Sequence, residues 1–181
     1  MDIEATTNQA EATACEQAME EILAAGAMLY DAAIEVSEEH WVAVKEEARQ
    51  RVEFFQYMVR VRRRVYGVTI EWMKGRSAGS GENRRMLFST ITRGRTMSYP
   101  RSRFGSANEW ELARIMAAEK EFGKIRMASD LAASAGRRLA WVQKTLERTG
   151  EVEERRIREV LREVSKACAV ANSFKGGDLE I

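Results

Sequence analysis

His40 is the single histidine of the chain, and it sits beside Trp41. One imidazole cannot build a three-histidine metal site, and any serine triad would have to use this one. Its place suggests a partly exposed histidine near the start of a helix. Cys15 and Cys168 show no metal-ligand spacing, and two lone cysteines make no disulfide framework. Glu71, between Ile70 and Trp72, reads as the cross-strand partner of a cation rather than as a base. Tyr66 and Tyr99 carry hydroxyls of the kind used in DNA strand transfer, but no histidine cluster accompanies them. Gly75–Gly79 matches G-x-x-x-G without the Gly-Lys-Ser/Thr that completes a phosphate-binding loop. These residues argue against catalysis. The expectation is a protein that is not an enzyme and holds no cofactor or metal.

Charge is the chemistry this chain segregates. The net charge of +1 conceals three blocks. Residues 1–59 hold three basic and thirteen acidic residues; residues 60–105 hold twelve and two; residues 106–181 hold fourteen and thirteen. A local block of like charge says more about a partner than the average does. Within the basic block, Lys74, Arg76, Arg84 and Arg85 flank one turn. Arg93, Arg95, Arg101 and Arg103 flank the next. Ser89, Thr90, Thr92, Thr96 and Ser98 add short hydroxyls suited to phosphate or base contacts. The major groove of DNA admits a two-stranded ribbon, so these eight cations are the candidate DNA-binding residues. The competing reading docks the basic face on an acidic protein surface, either the chain's own N-terminal helices or a partner.

The elements that must carry these residues can be read from periodicity. With one proline and abundant Ala, Glu and Met, the chain favours long helices. A helix is expected over about 10–36, with Met19, Ile22, Leu23, Gly26, Tyr30 and Ala33 on one stripe. Ser37 followed by Glu38 and Glu39 resembles an N-cap, opening a second helix to about residue 63. Val65–Lys74 is rich in β-branched and aromatic residues and reads as a strand. A polar turn over 74–83 leads to a second strand over 84–92. Arg93-Gly94-Arg95 is a turn, and Thr96–Tyr99 is a short third strand ended by Pro100. Trp72, Phe88 and Tyr99 are expected in the core between sheet and helices. Ser106-Ala-Asn-Glu109 has the form of a capping box. The helix after it runs to Thr149, with a bend expected near Gly123 or Gly136 unless it protrudes and pairs with another chain. A last helix over 151–171 places Ile157, Leu161, Val164, Cys168 and Ala171 at a/d spacing. That exposed seam predicts a homodimer.

The fold class is therefore α+β, mostly α-helical, with a three-stranded antiparallel basic sheet inserted between two helical hairpins. The segments are 1–63, an acidic helical hairpin; 64–105, the sheet; and 106–181, a long helix with a closing helix. No apolar run approaches a membrane span, and the acidic start lacks the basic region of a signal peptide. The expected compartment is the cytoplasm.

Two resemblances arise on these residues. Three strands, then S-x-x-E, then an amphipathic helix is a layout similar to that of plant AP2 and phage integrase arm-binding domains, whose sheets enter the major groove. The second rests on Ile70-Glu71-Trp72, Arg84-Arg85, Ile91-Thr92-Arg93-Gly94, Ser98-Tyr99-Pro100, Phe104, Trp110-Glu111, Phe122 and Ile125-Arg126. This run, over about 65–130, resembles conjugative mobilisation auxiliary proteins of the MobI type, with the acidic N-terminal helices outside it. The resemblance implies double-stranded DNA at a transfer origin as partner, and a relaxase beside it. The expected function is a non-enzymatic DNA-binding accessory factor. Its alternative is a helical interaction module whose basic sheet docks on an acidic protein.

Overall fold

The computed structural model describes residues 2–83, 85–149 and 152–175. It contains α1 (Asp2–Arg51), β1 (Tyr57–Arg64), β2 (Gly67–Ala78), β3 (Arg85–Thr90), α2 (Glu109–Thr149) and α3 (Glu154–Asn172), with short 3-10 turns at Gly81–Asn83, Arg101–Phe104 and Ser173–Lys175. The fold is α+β and mostly helical, and its strands form one antiparallel sheet in the order β1-β2-β3. Arg84 and the glycine pair at 176–177 lie outside the described residues.

The expected break at Ser37 does not occur: α1 is one helix of 50 residues, about 75 Å long. Ser37 is buried within it. A serine costs a helix interior only about 0.5 kcal/mol, far less than the burial of Ala33 and Val44 on either side contributes. The N-terminal segment is therefore not a helical hairpin. The helix ends instead at Val52. Glu53 N donates to Ala48 O and Val52 N to Arg49 O, the two bonds of a Schellman motif. Val52 occupies the left-handed position at φ 56° that glycine usually fills. Beyond this stop, Tyr57-Met58-Val59-Arg60-Val61 alternates with period two: Tyr57 and Val59 are buried and Arg60 points to the other face, against Glu71. The stretch expected as the end of a helix is thus β1.

The chain comprises two compact units. The first comprises Met1–Tyr30, Arg63–Val68 and Ala128–Ile181. Its three helical segments each bury residues at alternating three- and four-residue spacing: Cys15, Ala18, Ile22, Ala25, Leu29; Ala128, Ala132, Ala135, Leu139, Val142; and Ile157, Val160, Val164, Ala167, Ala171. That spacing is the seam of coiled-coil packing. The seam behind the homodimer expectation is therefore covered within one chain. The hairpin tip Val65-Tyr66 enters this unit, and the glycines make room for it. A Cβ on Gly136 would lie 2.6 Å from the Tyr66 ring, and one on Gly26 would lie 2.8 Å from Gly67 N. Gly136 marks a close approach within α2, which is one helix of 41 residues. Ser129 Oγ accepts from Val68 N and donates to Val68 O, clasping the start of β2.

The second unit comprises Asp31–Arg62 and Thr69–Met127. Trp72 is its centre, fully buried, with the rings of His40, Phe104 and Phe122 edge-on around it. His40 is buried in mid-helix, not partly exposed at a helix end. Residues 96–99 pair with no strand. Side chains take their backbone groups instead: Tyr99 N donates to Glu119 Oε1, and Arg126 donates to Met97 O. Gly123 admits Ser98, whose Oγ would lie 2.3 Å from an added Cβ. α2 begins at Glu109, with Leu112 N bonded to Asn108 O. Ser106 therefore does not cap it; its hydroxyl pairs with Tyr57 Oη. Glu111 Oε1 accepts from Gln56 N and Tyr57 N, fixing the entry to β1.

Val52 is 90% exposed, so its side chain packs against little and the left-handed backbone costs it about 1–2 kcal/mol. Val52→Gly is expected to raise stability by about 1 kcal/mol in urea titration, after allowing for the entropy glycine adds to the unfolded chain.

Burial lowers the His40 pKa to about 4 from 6.5; a hydrogen bond with the Arg114 backbone opposes the shift and the Arg114 charge adds a smaller lowering. Between these values the unfolded chain binds a proton that the folded chain refuses, so stability falls as pH drops from 6.5 towards 4. The total is roughly 3 kcal/mol. Burial raises the Glu111 pKa, which works in the opposite sense as that carboxyl takes up its proton. The difference between wild type and His40→Phe isolates the histidine: the variant is expected to lose this part of the acid slope.

Candidate nucleic-acid interface

β2 is twice as long as β3, with 12 residues against 6, and pairs with it only from Met73 to Ala78. The first half of β2 is buried over α2. β3 is exposed throughout, while in the second half of β2 Arg76 and Ser77 are exposed, Met73, Lys74 and Ala78 half-buried and Gly75 buried. The register opposes Lys74 to Ser89, Arg76 to Leu87 and Ala78 to Arg85. Paired residues share a face, so Lys74, Arg76 and Arg85 stand on one side of this ribbon. The other side pairs Met73 with Thr90, Gly75 with Phe88 and Ser77 with Met86. An added Cβ on Gly75 would meet Phe88 and Met86 at 3.0 Å, so both side chains lie across the glycine. Phe88, expected in the core, is 46% exposed. Trp72 and Tyr99 are buried as expected.

The remaining candidate cations lie on the segment after β3. Arg93 is half-buried and acts electrostatically on Tyr99, whose pKa burial raises and this cation lowers. Arg95 is exposed, and Arg101 and Arg103 occupy the 3-10 turn with their side chains in solvent. The Arg103 guanidinium comes back beside Gly94. The candidate residues thus fall into a ribbon set (Lys74, Arg76, Arg85) and a loop set (Arg93, Arg95, Arg101, Arg103), both in the second unit. Arg84, the eighth, is outside the described residues.

The acids near these cations are engaged elsewhere. Glu71 pairs with Arg60 at 2.8 Å and Arg62 at 3.6 Å. Glu47 pairs with Arg51 and Arg114, and Glu46 with Arg49. Glu53 accepts from Asn108 and the Trp110 indole. Glu119, wholly buried, takes Arg126 at 2.6 Å and the Trp72 indole at 2.6 Å. Among the described residues none of the seven placed candidates forms an ion pair with a carboxylate. Lys74 alone lies over a ring, that of Tyr57 at 5.9 Å.

Sequence reasoning missed two things here. One is the Glu119–Arg126 pair, seven residues apart on α2 and buried; only its spacing on the helix's apolar face could have flagged it. The other is an apolar groove of about 1100 Å³ beside the ribbon, floored by Trp41, Phe55, Met58 and Phe88. Its signal was Val52-Glu53-Phe54-Phe55, a run of large apolar residues where a helix stops. Among the described residues no three His, Cys, Asp or Glu side chains converge as metal ligands, and no helix is long and apolar enough to cross a membrane.

A family model described as MobI protein matches residues 29–140. No curated protein and no solved structure matches the chain significantly. The family match contains the whole second unit, with its ribbon, loop and Trp72 core. It also reaches back into α1, which the likeness over 65–130 had left outside. More than half of the 181 residues fall within it: the chain belongs to the MobI family of mobilisation proteins and serves conjugative mobilisation.

Proposed function

We propose that this protein is a non-enzymatic accessory factor that binds double-stranded DNA at a transfer origin, in the cytoplasm, and assists a relaxase there. The β2–β3 ribbon enters the major groove with Lys74, Arg76 and Arg85, while Arg93, Arg95, Arg101 and Arg103 hold flanking phosphates. The observation that carries this reading is the set of seven cations in one unit with no carboxylate partner among the described residues. Unneutralised like charges repel one another and weaken the compact state, so their retention argues for an anionic partner. A protruding two-stranded ribbon has the width the groove admits. Membership of the MobI family supports a role in mobilisation, and a DNA partner agrees with that role.

Binding of this kind releases counterions, so log affinity falls linearly with log salt at about −0.9 per phosphate neutralised. Four to six contacts give an expected slope of roughly −4 to −5 in anisotropy titrations with transfer-origin duplex. Arg95→Ala, if a phosphate contact, weakens all sequences alike and reduces the slope by about one. Arg76→Ala or Arg85→Ala costs about 1–3 kcal/mol on the cognate site if that side chain reads a guanine. Lys144→Ala, on an exposed stretch of α2, does neither. A flat salt dependence, or equal loss from Lys144→Ala, would remove the ribbon from this function.

A further inference from the structure

Beside the ribbon lies an apolar groove of about 1100 Å³, between the end of α1, the segment Glu53–Met58 and the ribbon, lined by side chains of both ribbon faces, Lys74, Arg76 and Arg85 as well as Met86 and Phe88. Phe54 forms its lip and is 90% exposed; Met86 and Phe88 are half exposed across from it. On α1, Trp41 and Lys45 continue the surface to Val42, which is also exposed. Large apolar side chains this exposed and this contiguous mark an interaction surface rather than scattered surface residues. Aromatic and methionine side chains are the types enriched at protein interfaces.

The rim gives the occupant its charge. Lys45, Lys74, Arg76 and Arg85 border the groove, and Glu53 is the one acid among its lining residues. Glu53 is already committed to Asn108 Nδ2 and Trp110 Nε1 at 3.0 and 2.6 Å. The floor offers few polar groups. A nucleobase seated on the apolar floor would turn its polar edge away from the donors at the rim, an unfavourable burial. Aliphatic and aromatic protein side chains incur no such cost, and the volume accommodates several of them.

We propose that this groove docks an acidic segment of a partner protein, with large apolar side chains inserted between Phe54 and Phe88 and carboxylates facing Lys45, Lys74, Arg76 and Arg85. The groove draws on Lys74, Arg76 and Arg85, the cations the DNA reading also uses, so an acidic segment and duplex DNA would compete for the ribbon, while the apolar anchors Phe54 and Phe88 belong to the groove alone. The proposal goes beyond the DNA reading and does not depend on it.

The test pans a phage library of random dodecapeptides against the full-length protein, then measures a synthetic enriched peptide by fluorescence anisotropy. Enriched sequences are expected to carry at least two large apolar residues and a net negative charge. The peptide should weaken about tenfold or more on Phe54→Ser, as for a central anchor, and also on Arg85→Glu. Phe54 is so exposed that its replacement should leave the melting temperature unchanged. Phe54→Ser should also leave the salt slope for duplex DNA intact, so failure of this inference and failure of the DNA reading are separate results. No enriched sequence, neutral or basic enriched sequences, or undiminished binding to Phe54→Ser would overturn the proposal. So would oligothymidine binding abolished by Phe54→Ser, which makes the groove a base-stacking site. A concentration-dependent dimer broken by Phe54→Ser would overturn it as well, by assigning the groove to a second copy.

Discussion

The buried half of β2 and the segment after β3 hang on one buried ion pair. Glu119 and Arg126 lie two turns apart on α2, 1% and 3% exposed, with Nη1 to Oε1 at 2.6 Å. Burying such a pair costs several kcal/mol per ion unless the remaining donors and acceptors are filled. Here they are. Glu119 also takes the Trp72 indole and the Tyr99 amide; Arg126 also reaches Ile70 O and Met97 O, and stacks over Tyr99. One network therefore fixes the buried half of β2 and the segment after β3. That segment has no ladder bonds over 96–99, so the pair supplies its course. The contribution is to specificity of structure more than to stability: a hydrophobic substitute of equal volume would hold the helix but leave Met97 O and Tyr99 N without partners.

That anchor sets the functional surface. The half of β2 beyond Trp72 leaves the helical layer and pairs with β3 in solvent. Emergence exposes both faces of the ribbon, which differ sharply: Lys74, Arg76 and Arg85 on one, Met86 and Phe88 on the other. Neither face is satisfied internally. The carboxylates that could have quenched the cations are spent on Arg51, Arg60, Arg114 and Arg126. The apolar side covers Gly75 and otherwise faces the groove. The proposed DNA contact and the proposed docking site both draw on these groups.

Much of this was legible in the sequence, and the parts that were not have physical reasons. The α+β class, a three-stranded antiparallel sheet and the core roles of Trp72 and Tyr99 could be read from composition and pattern, and the MobI family was met as a resemblance at scattered aromatic, glycine and basic positions. The strand boundaries could not. Tyr57–Arg64 carries four arginines, and arginine is a good helix former, so its period-two pattern was absorbed into a helix that Val52 had already ended without the usual glycine. Ser37 looked like a cap because local hydrogen bonding favours serine there, yet burial of its neighbours overrode propensity. Nothing local at Gly136 reveals that a Tyr66 ring must pass it. Thr96–Tyr99 has strand composition, but its backbone partners are side chains 20 and 29 residues away. Phe88 was assigned to the core on its type alone, whereas its exposure depends on where β2 outruns the helices.

The most direct measurement of the central claim is arginine footprinting. The protein is treated with phenylglyoxal, free and bound to transfer-origin duplex, and modification is read by mass spectrometry. The account expects Arg76, Arg85, Arg93, Arg95, Arg101 and Arg103 to be protected by DNA, while Arg155, Arg158 and Arg162 on α3 react equally in both states. Protection confined to α3, or no change at the ribbon and loop arginines when duplex is bound, would contradict it.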